Sequence, residues 1–161
     1  MIQVFTIIVT YNPGKWLYKC LSSLANSNYL NKVIIVDNGS TDGSQQQIKD
    51  HYKDIDLIQS GTNLGFGKAN NFGIKRAYEA GADYILLLNQ NAWVEEDTIE
   101  KLVNIHQKNP EYAITSPVHL NGAGTALGYG FSNYIVPSKC PDLISDVMVA
   151  ESKDRLYETF L

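Results

Sequence analysis

The chain has 161 residues, of which 44% are hydrophobic and 19% are charged, and its formal net charge is −4. This composition is typical of a folded globular domain, and the acidic balance argues against duplex nucleic acid as a partner, since that needs a basic surface. The two cysteines, Cys20 and Cys140, are far apart in unlike contexts, and the sequence shows neither a disulfide framework nor the spacing of a zinc site.

Strand and helix signals alternate in the first third of the chain. Residues 2–10 are rich in β-branched side chains and carry no cationic leader, so they are predicted to form a strand and not a signal peptide. Apolar side chains then recur at helical spacing and predict a helix of about three turns. They are Leu17, Cys20, Leu21 and Leu24. A second strand is predicted over 33–37. It is followed by three candidate N-caps for a polar helix: Ser40, Thr41 and Asp42.

The alternation continues to residue 118. A third strand is predicted over 55–59 and a helix over 68–80. The inner side of that helix is predicted to carry Ile74, Ala77 and Tyr78. The nearly all-apolar run 84–88 predicts a central strand covered on both faces. Acidic residues in the first turn of a fourth helix are predicted at Glu95, Glu96 and Asp97. A fifth strand is predicted over 113–118.

Strands separated by helices of this length predict an α/β fold, with three layers in the order α/β/α and a mainly parallel sheet. We expect one domain over residues 1–161, in which glycines and prolines make 119–161 irregular. No apolar run is long enough to span a bilayer. The expected location is therefore the cytoplasm.

Two predicted strands end abruptly on small polar side chains. Asp37 and Asn38 follow the apolar run 33–36, and Asn89-Gln90-Asn91 follows 86–88. Because ligands of open α/β sheets bind beyond the carboxyl ends of the strands, we expect the two ends to share one pocket. Asp37 has two interpretations from its chemistry alone, as an acceptor for a base or ribose, or as a turn or cap former.

The segment from Gly61 to Gly67 matches neither a Walker loop nor a dinucleotide fingerprint. It is either a flexible connection or a loop in which Gly65 and Gly67 let the backbone approach a ligand. Lys68, at the start of the next helix, is either a charge near a diphosphate or an ordinary solvated lysine. Asn70 and Asn71 are poor helix formers, which predicts that one of them binds the backbone of an adjacent strand end.

Asn89 and Asn91 are the candidate metal ligands, because their oxygens suit Mg²⁺ or Mn²⁺. Two neutral amides are nevertheless poor ligands for a hard cation unless a carboxylate joins them. The three histidines share no ligand spacing, and no serine, histidine and acid arrangement can be argued from the sequence. No catalytic residue is therefore assigned.

Four segments taken together resemble the family 2 glycosyltransferases, which are inverting enzymes of the GT-A fold. The segments are IIVTYN at 7–12, VDNGSTD at 36–42, NLGFGKANNFG at 63–73 and LLLNQNAWV at 86–94. The pattern looks closest to the rhamnosyltransferase-like branch, whose members use dTDP-rhamnose or a UDP-sugar in building surface polysaccharides.

The resemblance implies roles for particular residues. The residues that line the nucleotide pocket would be Thr10, Tyr11 and Asn12. Asp37 and Asn38 would bind the base or the ribose. Those beside the nucleotide and sugar would be Asn63, Gly65 and Asn71, with Lys68 near the diphosphate. Asn89 and Asn91 would occupy the segment that holds a Mg²⁺ or Mn²⁺ cofactor in the family.

Two departures from the family pattern bear on these roles. Position 91 is usually aspartate, and the amide of Asn91 removes a unit of charge from the metal site. The family's catalytic base lies well after the fifth strand, and 142–161 shows no matching motif. The chain is therefore expected to be the N-terminal donor-binding part of a transferase, truncated at its C-terminus.

The function implied is transfer of a sugar from a UDP- or dTDP-sugar to a glycan or lipid-linked acceptor, with peripheral membrane association of the full enzyme. A non-catalytic nucleotide- or glycan-binding module is the main alternative, favoured by Asn91. A sugar-1-phosphate nucleotidyltransferase is less favoured, because such enzymes carry a glycine-rich loop with arginine after the first strand, where this chain has 11–15 without arginine.

Overall fold

A computed structural model of the protein describes residues 2–134, which fall into two compact units divided between Ala113 and Ile114. The first unit contains four strands and four helices in alternation. The strands are β1 (Val4–Thr10), β2 (Asn31–Asp37), β3 (Asp56–Gln59) and β4 (Tyr84–Asn89). The helices are α1 (Trp16–Ala25), α2 (Ser44–His51), α3 (Phe66–Glu79) and α4 (Thr98–Lys108).

The four strands form one parallel sheet in the order β3-β2-β1-β4. Successive side chains of a strand point to opposite faces, so β1 supplies Ile8 to one core and Ile7 to the other. The first core also contains side chains from α1, α2 and α4, and the second contains side chains from α3. The predicted three-layer α/β fold with a parallel sheet is confirmed.

Helix α3 approaches the sheet through its backbone. A Cβ built on Gly73 would lie 2.5 Å from Cγ2 of Ile7 and 3.3 Å from Cγ2 of Val36. The inner side of α3 is accordingly lined by small residues, and Ala69 and Ala77 are fully buried. The prediction that Tyr78 faces inward is wrong, because its side chain is 78% exposed.

Strand β4 lies at the edge of the sheet formed by residues 2–134, so the prediction of a central strand is wrong. It pairs with β1 along one side only. Tyr84, Leu86 and Leu88 pack against the core that contains α1 and α4. Ile85 and Leu87 point to the other face and are 37% and 49% exposed. An apolar run predicts burial, but which faces are covered depends on elements far away in the sequence.

The second unit, described over 114–134, does not contain the predicted fifth strand at 113–118. Its strand-like feature is a single antiparallel bridge between Leu120 and Leu127, followed by a short helix α5 (Tyr129–Tyr134). Pro117 has no N–H to donate to a sheet, which disfavours a strand there. The irregular character predicted from 119 onward agrees with this hairpin as far as residue 134, and Cys140 lies outside the described residues.

Two helix starts also differ from prediction. The N-cap position of α2 is Gly43, at φ +83°, so the prediction that Ser40, Thr41 or Asp42 occupies it is wrong. Asp42 nevertheless accepts the N–H of Ser44, the first residue of the helix. Helix α4 begins at Thr98, and its first turn contains Glu100. Glu95 and Glu96 therefore precede that turn. None of the helices in residues 2–134 combines the length and apolarity needed to cross a membrane.

Candidate functional site

The carboxyl ends of the four strands lie side by side at one edge of the sheet. Val9 pairs with Val36 of β2 and with Asn89 of β4, and Asp37 pairs with Gln59 of β3. The ends of β2 and β4 are therefore separated only by β1, about 10 Å apart at the usual strand spacing. The loops that follow these strands form the candidate site, as the sequence predicted from its two polar strand endings.

The loop after β1 is held by side chains from the loop after β2. The N–H of Asn12 donates to Ser40 Oγ at 2.9 Å, and Asn12 Oδ1 accepts the N–H of Thr41 at 2.8 Å. Asn12 has φ +46°, a left-handed conformation that costs energy for a residue with a side chain. The paired contacts with Ser40 and Thr41 stabilise that conformation.

Asp42 also binds backbone groups of this loop. Its Oδ2 accepts the N–H of Gly14 at 3.2 Å and its Oδ1 accepts the N–H of Ser44 at 3.1 Å. Burial works to raise the pKa of Asp42, but the hydrogen bonds from Ser44 and Gly14 outweigh it and lower the pKa below the ordinary 3.8. Asp42 is therefore an ionised link between the loop after β1 and the start of α2.

Asp37 is fully buried, with an exposure of 0%. Its Oδ2 accepts the hydroxyl of Thr10 at 2.9 Å, and its Oδ1 accepts the N–H of Ser40 at 3.0 Å and the side-chain amide of Gln45. Its carbonyl accepts both the N–H and the hydroxyl of Ser60. The carboxylate thus organises the turn after β2, which is one of the two interpretations that the sequence left open.

Asn38 fixes the loop after β3. Its Nδ2 donates to Asn63 Oδ1 at 2.9 Å, and its Oδ1 accepts the N–H of Leu64 at 2.7 Å. Asn63 Oδ1 also accepts the N–H of Gly65 at 2.9 Å. Gly65 has φ +79° with open space where a Cβ would stand, so its backbone is accessible. The loop is therefore ordered, and the prediction of a flexible connection does not describe it.

The loop after β4 is bound to the loop after β1 through Gln90, a residue that sequence reasoning did not single out. Gln90 Oε1 accepts the N–H of Tyr11 at 2.8 Å, and Gln90 Nε2 donates to the carbonyl of Tyr11 at 3.3 Å. Asn89 and Asn91, on either side, are exposed. The sequence could not show which of the three consecutive amide side chains would bind Tyr11, because Tyr11 lies 79 positions away from Gln90.

The site residues expected on α3 lie at the surface of the helix. Lys68 and Asn71 are exposed on the first two turns of the helix. Asn70 is buried, and its Nδ2 donates to the carbonyl of Phe66 at 3.0 Å. The prediction that one asparagine binds an adjacent strand end is therefore wrong for Asn70, whose partner is in its own helix.

The described residues supply no complete set of protein ligands for a Mg²⁺ or Mn²⁺ ion. Within residues 2–134 there is no group of three histidine, cysteine or acidic side chains placed to hold a metal. Asp37 and Asp42 each accept hydrogen bonds from other protein groups. Asn89 and Asn91 supply only neutral amide oxygens, which are weak ligands for a hard cation.

The sequence model of the family described as glycosyl transferase family 2 matches residues 6–140. The dTDP-rhamnosyl transferase RfbF of Shigella flexneri is 32% identical over 120 residues, which cover 74% of this chain and 39% of that protein. The solved structure of S. aureus TarS 1-349 in complex with UDP-GlcNAc is similar with a TM-score of 0.61 at 23% identity, over 68% of this chain and 32% of that one.

A second similar structure is the mannosyltransferase PcManGT from Pyrobaculum calidifontis, in complex with GDP-Man and Mn²⁺. Its TM-score is 0.59 at 22% identity, over 65% of this chain and 32% of that one. The matched regions thus cover well under half the length of each of these three proteins. Likeness to the two structures establishes the fold.

Proposed function

This chain belongs to glycosyl transferase family 2, and on that premise we propose that it binds a UDP- or dTDP-linked sugar beyond the carboxyl ends of its four strands. The complete enzyme would transfer the sugar to a glycan or lipid-linked acceptor during surface polysaccharide synthesis. The proposed domain is a single nucleotide-sugar-binding domain of the GT-A type over 1–161, the N-terminal part of that enzyme.

The observation that supports this most directly is the set of side-chain bridges among the four strand-end loops. Hydrogen bonds join four pairs of residues in this set: Tyr11 with Gln90, Asn12 with Ser40, Thr10 with Asp37, and Asn38 with Asn63. Preorganised loops bind a ligand without the cost of ordering themselves. Tyr11 is 49% exposed, and we propose that its ring offers an aromatic face to a base.

We propose that Asp37 meets the base imide or a ribose hydroxyl by exchanging one partner. A carboxylate has about four lone-pair positions, and Thr10, Ser40 and Gln45 occupy three of them. Gln45 reaches Asp37 through a side chain of α2, whereas Thr10 is buried in β1 and Ser40 contributes a backbone N–H of the turn. Displacement of the Gln45 amide would open Asp37 to the nucleotide.

The diphosphate is proposed to lie near the start of α3. Lys68 is in its first turn, and no side chain caps the helix N-terminus at Gly65. Free N–H groups at a helix start and a neighbouring lysine favour an anion. Asn63, Gly65 and Asn71 would flank the nucleotide and sugar.

In the complete enzyme, a carboxylate would remove the proton of an acceptor hydroxyl as that oxygen attacks the anomeric carbon. The bond from that carbon to the diphosphate oxygen breaks on the opposite side, so the product has inverted configuration. We assign the catalytic base to none of the residues described here. The water-soluble donor and a lipid-linked acceptor together suit a cytoplasmic reaction at the inner face of the membrane.

Calorimetric titration of the chain with UDP and with dTDP tests the proposal. We expect saturable binding of at least one of them in EDTA, and loss of most affinity when Asp37 is changed. Absence of binding by both nucleotides, with and without Mn²⁺, would reject a donor site at this edge of the sheet.

A non-catalytic nucleotide- or glycan-binding module is the second candidate, and the amide at position 91 favours it because it weakens any metal-assisted departure of the diphosphate. A labelled donor distinguishes the two. Transfer or hydrolysis of the labelled sugar by the complete protein supports the enzyme, whereas tight binding with no turnover supports the module.

A further inference from the structure

Gln90 binds both backbone groups of one residue in a different loop. Its Oε1 accepts the N–H of Tyr11 at 2.8 Å, and its Nε2 donates to the carbonyl of Tyr11 at 3.3 Å. A primary amide makes this pair of contacts because it carries a donor and an acceptor side by side. A carboxylate of the same length keeps only the first contact, and an apolar side chain keeps neither.

The segment that carries Gln90 is itself fastened on its other side. The carbonyl of Asn89 accepts the N–H of Ala92 at 3.0 Å, which closes a tight turn with Gln90 and Asn91 at its centre. Beyond the turn, the N–H of Val94 donates to Ser23 Oγ of α1 at 3.2 Å. Lys19 Nζ, also on α1, lies 3.3 Å from the ring centroid of Trp93. The exposed Asn91 is thus presented from a turn held by α1 and by the loop after β1.

The loop after β1 needs such support. Asn12 has a left-handed φ of +46°, which persists only where neighbouring contacts favour it. Ser40 and Thr41 bind Asn12 itself, and Gln90 binds the residue immediately before it. Gln90 therefore fixes the backbone of Tyr11 relative to the end of β4.

We propose that Gln90 is a positioning residue for nucleotide binding, which couples the turn 89–92 to the loop at Tyr11 and Asn12 so that both present their groups in one arrangement. The inference rests on the proposed function of the site. Without Gln90 the loop samples other arrangements, and the apparent Kd for a nucleotide rises in inverse proportion to the binding-competent fraction.

Three variants of the full 161-residue chain test this. Gln90→Met has a similar length and removes both contacts, whereas Gln90→Glu keeps an acceptor for the N–H of Tyr11. Gln107→Met, on an exposed position of α4, is the matched control. The probes are uridine, which is uncharged, and UDP, titrated by calorimetry, together with the amide resonance of Tyr11 in the unliganded protein.

We expect Gln90→Met to raise the Kd for both uridine and UDP by roughly fivefold or more, with a melting temperature close to that of the control. Gln90→Glu should return uridine affinity to within about twofold of the original chain, because the Tyr11 N–H regains a charged acceptor. The same variant should bind UDP poorly, since the new charge repels the diphosphate. The Tyr11 resonance should shift in Gln90→Met and not in Gln107→Met.

Unchanged uridine affinity and an unmoved Tyr11 resonance in Gln90→Met would overturn the proposal. So would affinity losses that simply follow thermal stability in both Gln90 variants, since that result means a general structural role. Failure of the original chain to bind uridine and UDP would reject the proposed function instead. The Tyr11 resonance still tests the coupling in that case, because it needs no ligand.

Discussion

Asp37 combines complete burial with hydrogen-bond donors from three parts of the chain. Thr10 belongs to β1, Ser40 to the loop after β2, and Gln45 to α2. Hydrogen bonds to a charged acceptor contribute about 1.5–3 kcal/mol each. A change at Asp37 therefore affects the arrangement of the loops as well as any contact with a ligand, and the two effects need separate variants.

Asp37→Asn preserves the shape of the side chain and removes its charge, and we expect it to weaken UDP binding at least tenfold. Gln45→Ala is the matched variant. It removes the partner that the nucleotide is proposed to displace, together with the hydrogen bonds of Gln45 to the Ser40 carbonyl and to Gln59. Its UDP affinity should stay equal or rise a few-fold. Calorimetry measures both, and an equal loss in the two variants would show that Gln45 supports the site and is not displaced.

Asn91 is exposed in the turn after β4, so a carboxylate is accommodated there without burial. Asn91→Asp should make UDP binding depend on Mn²⁺, with affinity about tenfold higher in Mn²⁺ than in EDTA, because a carboxylate supplies the hard charged ligand that the amide lacks. Asn104→Asp, on an exposed position of α4, adds the same charge elsewhere. A Mn²⁺ effect of equal size in both variants would count against a cation at position 91.

At the scale of elements, the close contact of α3 with β1 and β2 constrains the site. Gly73 lets the helix backbone lie against Ile7 and Val36, and the same helix carries Lys68 and Asn71. A displacement of α3 from the sheet would therefore move these side chains relative to the loops after β1 and β2.

Gly73→Ala should lower the free energy of unfolding by about 1–3 kcal/mol, the usual cost of overpacking a core. Its Cβ would stand 2.5 Å from Ile7 Cγ2, and alanine's helix propensity gain of about 1 kcal/mol is too small to offset that contact. Gly67→Ala is the control in the same helix, with nothing within 4 Å of the new Cβ. Chemical denaturation measures both, and Gly67→Ala should leave stability equal or higher.

The elements that the sequence predicted correctly are those whose signal is local. The β-branched runs of β1 and β2, the helical spacing in α1 and the polar residues at two strand ends follow from neighbours in the chain. The edge position of β4 did not follow, because Ile85 and Leu87 are apolar whether or not anything covers them. The pairing of Gln90 with Tyr11 and the use of Ser40 and Asp42 as partners of the first loop depended likewise on tertiary structure.

At the scale of the whole molecule, the resemblance to a family added what local patterns lack. It assigned Thr10 to Asn12, Asp37, Asn38, Asn63 and Gly65 to one site, and the structure brings these residues together. Lys68 and Asn71 lie on the exposed face of α3, and their place beside a ligand stays a prediction. The metal role of Asn89 and Asn91 also stays a prediction, which the Asn91→Asp titration tests.

Cys20 allows the opening of the first unit to be timed with a thiol reagent. Its side chain is fully buried in α1, its Sγ lies 3.8 Å from the carbonyl of Asn89, and burial raises its pKa from 9.0 to about 12. Because the thiolate is the reactive form, an alkylating pulse at pH 8 should leave Cys20 unmodified in the closed protein and modify it on opening, as mass spectrometry of its peptide would show. Labelling at the rate of an unfolded chain would contradict this burial.

The raised pKa also sets the alkaline limit of such a measurement. An unfolded chain releases the proton near pH 9 and the folded one near 12, so the stability that the buried thiol contributes is intact below pH 9 and declines as the pH rises toward 12. The sulfur of Cys20 lies next to the end of β4, the strand that leads to Asn89 and Asn91. A nucleotide that slows the modification of Cys20 would therefore stabilise this strand end against opening. The alkylation rate of Cys20 would then report how often the first unit opens.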